Sequence, residues 1–284
     1  MPKKKGFTPR SKEEIQEELN GLYADVTKGI KDVIASGRYA EYLSFVGKFR
    51  KYSLNNSILI FLQHPQARFA AGYCDWQKKF KRHVKYGEKG IHIIGGHEYS
   101  YEVEVEDENG NKKKEPRFKM KYFPTVVYGD DQTDGEPLPE LCKMLTDDIE
   151  SYQTFKVRLE KVSPVPVSYA PISGGAHGYF SPSENKIVVC SGMPQTQTIK
   201  TLVHEIAHSM MHNDSVKEKF DRETKEIQAE STAYAVLKHF GIDSSEYSFP
   251  YLMSWAKGKS DKEIHTALDF VWDSAMTIIK GVED

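Results

Sequence analysis

Residues 201–212 read TLVHEIAHSMMH, and four of them could act together on a metal: His204, Glu205, His208 and His212. On a helix, residues four apart lie nearly one above the other. His204 and His208 would therefore present two imidazoles on one line, spaced to share a tetrahedral Zn2+ at roughly 2.0–2.1 Å each. Glu205 is rotated off that line, so it is free to reach a water at the open position and take its proton. This is the HExxH arrangement. The rival reading is a buried helix that carries its histidines by coincidence, because Ile199, Leu202, Val203, Ile206, Ala207 and Met210 form an apolar face.

A third ligand separates the two readings. The stretch ETKEIQAESTAYAVLKHFG, 223–241, offers one. Ala229, Ala233, Val236, Leu237 and Phe240 make a buried helix face, and Glu226 and Glu230 fall on or beside it. Carboxylates there are costly unless paired or metal-bound. Glu230 is favoured as the ligand, with Glu226 supporting it by hydrogen bonds. His212 extends the histidine stripe and is read as a partner of a ligand, a substrate-facing group or a solvated helix end. Upstream, GGAHGYFSPSENKIVVCSG suggests a hairpin lining the cleft, where Tyr179 or His177 could polarise a carbonyl. The alternative is a hairpin whose aromatics pack on the core.

A different chemistry is suggested between Lys48 and Lys89. This stretch has ten Lys/Arg against two acids, with eight aromatics interleaved. Cations that track phosphates and rings that stack unpaired bases are what single-stranded nucleic acid asks for. Lys48, Arg50, Lys78, Lys79, Lys81, Arg82 and Lys85 are the candidate cations. A solvated basic face over a partly aromatic core is the plainer reading, and Phe61 and Phe69 belong to that core.

The elements that must position these groups follow from periodicity. Ser11 and Glu14 form a capping box ahead of a helix with Leu19, Leu22, Val26, Ile30 and Val33 at helical spacing. Helices are expected over about 40–50 and over SLNNSILIFLQH, which Pro65 ends. ARFAAGY and GIHIIGG read as short strands. The stretch 100–129 reads as a hairpin turning near Asn109-Gly110, with Tyr101, Val103 and Val105 on a buried face. Acidic, turn-rich GDDQTDGEPLPE suggests a boundary between domains 1–135 and 136–284. In the second part, a helix is expected over 140–160, strands at KVSPVPVSYA and NKIVVCSG, the motif helix from about 195, and helices over 216–240 and beyond 245.

Bulk properties narrow the class. Net charge is −2, so there is no global bias toward polyanions. Cys74, Cys142 and Cys190 form no CxxC pair, which argues against a disulfide framework or a thiolate zinc site. No secretory signal or membrane-length apolar run is present. A soluble, cytoplasmic protein without membrane contact is expected.

The string from KFRKYSLNNSILIFLQH to HVKYGEKGIHI, followed by VVYGDDQTDGEPLP, resembles the N-terminal domain of ArdC-type antirestriction proteins, a family of mobile elements and phages. LVHEIAHSMMH with EIQAESTAYAV is similar to the ImmA/IrrE-like zinc metallopeptidase domain that follows it in that family. The resemblance implies an α+β protein, with an N-terminal helical and β-hairpin domain that binds single-stranded DNA followed by a gluzincin-like metallopeptidase domain. It implies Zn2+ held by His204, His208 and Glu230, with Glu205 as acid/base. On the DNA side it points to Asn55, Asn56, Trp76, Lys78, Lys79 and Arg82. The expected output is protection of incoming DNA, through DNA binding and through contact with a host restriction enzyme or a protein substrate. Two rivals remain: a non-catalytic DNA-binding protein with structural zinc, and a regulatory protease that cleaves a repressor.

Overall fold

The computed structural model describes residues 10–49, 51–106, 112–138, 149–216, 220–242 and 249–284. Helix α1, Lys12–Ala35, starts at the expected capping box: the Ser11 side chain accepts from Glu14 N–H while Glu14 reaches back to the Ser11 backbone. It ends just before Gly37, whose φ of 73° suits a residue without Cβ. Helices α2, Tyr39–Val46, and α3, Leu54–Gln63, follow. Ser53 caps α3, and its buried face runs through Ile58, Leu59, Ile60 and Phe61.

Strand β1, Ala70–Ala71, pairs with the return arm of a long antiparallel ribbon made of β3, Ile91–Glu106, and β4, Lys112–Gly129. Between them lie a short helix α4, Tyr73–Lys78, and strand β2, Arg82–Val84. Strand β5, Thr133–Gly135, pairs with β2. Helix α4 was not expected from the sequence; its six residues are too few to show a period.

The ribbon corrects one expectation. Only its base packs on the body, through Ile91, Ile93, Ile94 and Val127. Tyr101 is 42% exposed, and the distal arms are largely exposed on both faces. The alternation in Tyr101, Val103 and Val105 reflects the pleat rather than a buried side. The turn at Asn109-Gly110 lies outside the described residues.

The second half opens with α5, Ile149–Val162, then β6, Val167–Ala170, β7, Gly178–Ser181, and β8, Lys186–Cys190. The sheet order is β6-β8-β7, with β8 parallel to β6 and antiparallel to β7. β8 takes the central place because Ile187, Val188 and Val189 bury without alternation. Helices α6, Gln195–Met211, α7, Arg222–His239, α8, Leu252–Lys257, and α9, Asp261–Glu283, complete the fold. α7 is central: it packs on α6, α9 and α2, and a contiguous apolar cluster runs from Leu19 of α1 to Val282 of α9. Polar ties join the halves. Tyr39 donates to Ser231, and the His239 ring meets the Gly47 carbonyl. Among the described residues, no helix is long and apolar enough to cross a membrane.

Candidate metal centre

Helix α6 buries Leu202, Val203 and Ile206 completely, and this orientation turns His204 and His208 toward a cleft of about 500 Å3. The two Nε2 atoms lie 3.0 Å apart. A carboxylate oxygen of Glu226, on α7, lies 3.7 Å from each. In a tetrahedron with bonds of 2.0–2.1 Å, two ligand atoms are separated by about 3.3 Å. The three atoms bracket that edge length, so the donor set fits a small divalent cation. Two imidazoles and a carboxylate are the borderline-hard mixture that Zn2+ and its neighbours accept.

The acid that completes the cluster is Glu226, where the spacing favoured Glu230. The Glu230 carboxylate is engaged by the Tyr251 hydroxyl, and burial raises its pKa. Burial, then the neighbouring His208, pushes the His204 imidazole down to about 4.

His212 lies behind His208, and its hydrogen bonds fix the tautomers in sequence. Gln228 Nε2 donates to the Ala267 carbonyl at 3.1 Å, leaving its Oε1 as acceptor. That oxygen lies 3.0 Å from His212 Nε2, which must carry the proton. Burial pushes His212 down to about 4, so the ring is neutral near pH 7 and its Nδ1 holds a lone pair. His208 Nδ1, 2.8 Å away, therefore donates to it. The remaining His208 nitrogen, Nε2, points its lone pair at His204 and Glu226. Gln228 was missed from sequence: it is 16 residues from its histidine partner, at no motif spacing.

Glu205 is 7% exposed, and its carboxyl is pushed up by burial while accepting a hydrogen bond from the Phe180 N–H. Strand β7 approaches α6 this closely because residue 178 is glycine. A Cβ there would lie 2.6 Å from Thr201 Cγ2 and 3.3 Å from Glu205 Cγ. β7 is the outer strand of its sheet. The Cys190 N–H donates to His177 at 2.7 Å, which by antiparallel alternation turns the Gly178 and Phe180 backbone away from β8, toward the cleft. Tyr179 lines the cleft and is 42% exposed. His177 does not line it; its Nδ1 accepts from Gln197.

The basic half is used differently from the expectation. Trp76 is fully buried, packs on Phe69 and Phe80, and donates from Nε1 to the Tyr128 carbonyl, so it offers no face to a base. Arg82 donates to the carbonyls of Thr133 and Glu136. Lys85 binds the Asp131 carbonyl. The Asn56 amide pairs in both directions with the Ile94 backbone, at 2.8 and 2.9 Å, and Asn55 accepts from His265. Trp76, Arg82, Lys85 and Asn56 thus hold the ribbon base and neighbouring loops together, and Asn55 ties α3 to α9. Lys48, Lys78, Lys79 and Lys81 are exposed, with Lys79 paired to Asp75. Arg50 lies outside the described residues.

Residues 11–126 match the family described as the N-terminal domain of anti-restriction factor ArdC. The ArdC likeness extends to the whole fold. The chain aligns with the metal-free crystal structure of the antirestriction ArdC protein from R388 plasmid at a TM-score of 0.52 and 20% identity, covering 91% of this chain and 97% of that one. The Mn(II)-bound structure of the same protein gives 0.53 and 19%, covering 93% and 98%. A mixed α+β architecture is therefore shared with ArdC. An uncharacterized Bacillus anthracis protein, pXO2-81, is 27% identical over 323 residues. The match takes in 99% of this chain but 54% of that protein, so the chain spans about half the length of this relative.

Proposed function

We propose that this chain is an ArdC-like antirestriction protein of a mobile element, which binds single-stranded DNA and carries a divalent-metal-dependent peptidase site. The peptidase reading is carried by one observation: three ligand atoms from His204, His208 and Glu226 at 3.0 and 3.7 Å, with Glu205 beside them. Zn2+ is the proposed ion, and the Mn(II)-bound form of R388 ArdC supports a metal of this class. The bound cation would supply Lewis-acid polarisation of water and of a peptide carbonyl. The other roles belong to the chain. Glu205, held by the Phe180 N–H, takes and returns the proton. An extended peptide pairs with the part of the outward β7 edge that the Phe180 N–H, held by Glu205, leaves open, and Tyr179, which lines the same cleft, polarises its carbonyl. The exposed cations of the ArdC-like part support the DNA-binding reading, with a host restriction enzyme or a protein substrate as a further partner.

Glu205→Gln tests the peptidase part. One Zn2+ per chain in both proteins, with cleavage of an unstructured peptide pool lost only in the variant, supports it. Metal retained, no cleavage by the wild type and undiminished protection of DNA in cells would leave a binding protein with a structural metal.

A further inference from the structure

The register of the ribbon sorts its charges onto two faces. In an antiparallel pair, directly opposed residues project on the same side. On one face, His97 opposes Lys121, Tyr99 opposes Lys119 and Tyr101 opposes Arg117. The β3 acids Glu98, Glu102, Glu104 and Glu106 all alternate onto the other face. There Lys112 pairs with Glu104 and Lys114 with Glu102. Among the described ribbon residues Glu115, opposite Val103 and beyond Arg117 toward the tip, is the one acid on the first face. Among the described residues, Arg117, Lys119 and Lys121 make no ion pair. The first face thus carries a row of three rings beside a row of three unneutralised cations. Both rows are exposed.

The exposed rings narrow the occupant. Ring centres of His97 and Tyr99 are 6.5 Å apart, and those of Tyr99 and Tyr101 are 6.2 Å apart, with the ring planes inclined at 58° and 41°. These are the distances of alternate residues along a strand, so each ring offers its own face rather than a slot shared with its neighbour. Bases can stack on such faces only when unpaired. The cations lie one strand away, about 5 Å across the ladder, where the backbone of a stacked strand would run.

We infer that this face of the β3–β4 ribbon, His97, Tyr99 and Tyr101 with Arg117, Lys119 and Lys121, is the surface that grips single-stranded nucleic acid. The inference rests on the DNA-binding reading above and moves its site away from Trp76 and Arg82. It is sequence-tolerant by construction, because rings stack on any base and cations read only phosphate.

The test is fluorescence anisotropy of the full chain with a labelled oligo-dT and with a duplex of equal length, at two salt concentrations. Tyr99→Ala with Tyr101→Ala is expected to weaken oligo-dT binding roughly tenfold or more, leaving the salt slope unchanged. Lys119→Ala with Lys121→Ala is expected to lower that slope by about 1.4. Phe118→Ala, on the acidic face, is the control and should change affinity less than about twofold. If the wild type binds oligo-dT and the tyrosine pair makes no difference, while Lys78→Ala with Lys81→Ala abolishes binding, the ribbon is not the site. Tighter binding of the duplex would overturn the single-strand occupant. Wild type that binds neither probe would remove the DNA-binding reading itself.

Discussion

Replacing His212 should loosen the metal without touching a ligand. A line of hydrogen bonds runs from Ala267 through Gln228 and His212 to His208, at 3.1, 3.0 and 2.8 Å. His212→Ala removes the two bonds nearest the metal, so His208 loses the acceptor that fixes its ring plane and tautomer. Loss of such a partner typically costs 10–100-fold in metal affinity, or about 1.4–2.8 kcal/mol. The Gln228 oxygen is also left without its donor, which costs about 1–3 kcal/mol of fold stability. Two milder variants separate these effects. His212→Asn places an oxygen near the old Nδ1, keeps the acceptor for His208 and should hold affinity within about threefold of wild type. His212→Gln places its amide near the old Nε2, keeps the Gln228 contact and should lose affinity as alanine does. The assay is competition for Zn2+ against a chromogenic chelator at pH 7.5, with thermal unfolding of the metal-free proteins alongside. Affinity unchanged in His212→Ala, or equal in the Asn and Gln variants, would refute the relay.

Two further outcomes follow from the surrounding structure. Asn56→Ala strands the N–H and C=O of buried Ile94 and should destabilise the fold by about 2–3 kcal/mol in urea titration, while oligo-dT affinity of the folded protein stays within about twofold. Asp221 caps α7, accepting from Thr224 N–H at 2.8 Å and from Lys259 at 2.5 Å. The Lys259 contact, then the cap, hold its pKa at about 2 in the folded state. A folded value below the unfolded one means stability that is complete above about pH 4 and is lost as pH falls toward 2. Asp221→Asn should flatten stability against pH across that window. Asp221→Ala should cost about 1 kcal/mol more than Asn at neutral pH, through the lost cap.

Much of this molecule could be read from its residues because the signals were local. The Ser11 capping box, the Pro65 stop, the apolar face of α6 and the run KIVVC each depend on neighbours within a few positions. The histidine pair was legible for the same reason, since i and i+4 fix their own geometry. The third acid was not. Glu226 and Glu230 differ by one helical turn, about 6 Å along α7, and the sequence does not fix how far α7 slides past α6. Two of the DNA-facing expectations met burial and backbone pairing instead. Trp76 and Arg82 looked like a stacking ring beside a cation, yet both are consumed by β4 and β5 backbone that lies some 50 residues later. The pairing of rings with cations was hidden until the register was known, because a slip of one residue would move Arg117, Lys119 and Lys121 from the tyrosine face to the face of the β3 acids.

The most direct measurement is Zn2+ affinity of Glu226→Gln and Glu230→Gln, side by side in the chelator competition. With Glu226 as the third ligand, its variant should lose more than the roughly 100-fold typical of a ligand's hydrogen-bonding neighbour, and Glu230→Gln should lose less than about tenfold. The opposite order, or equal and small losses in both, would contradict the centre built from His204, His208 and Glu226.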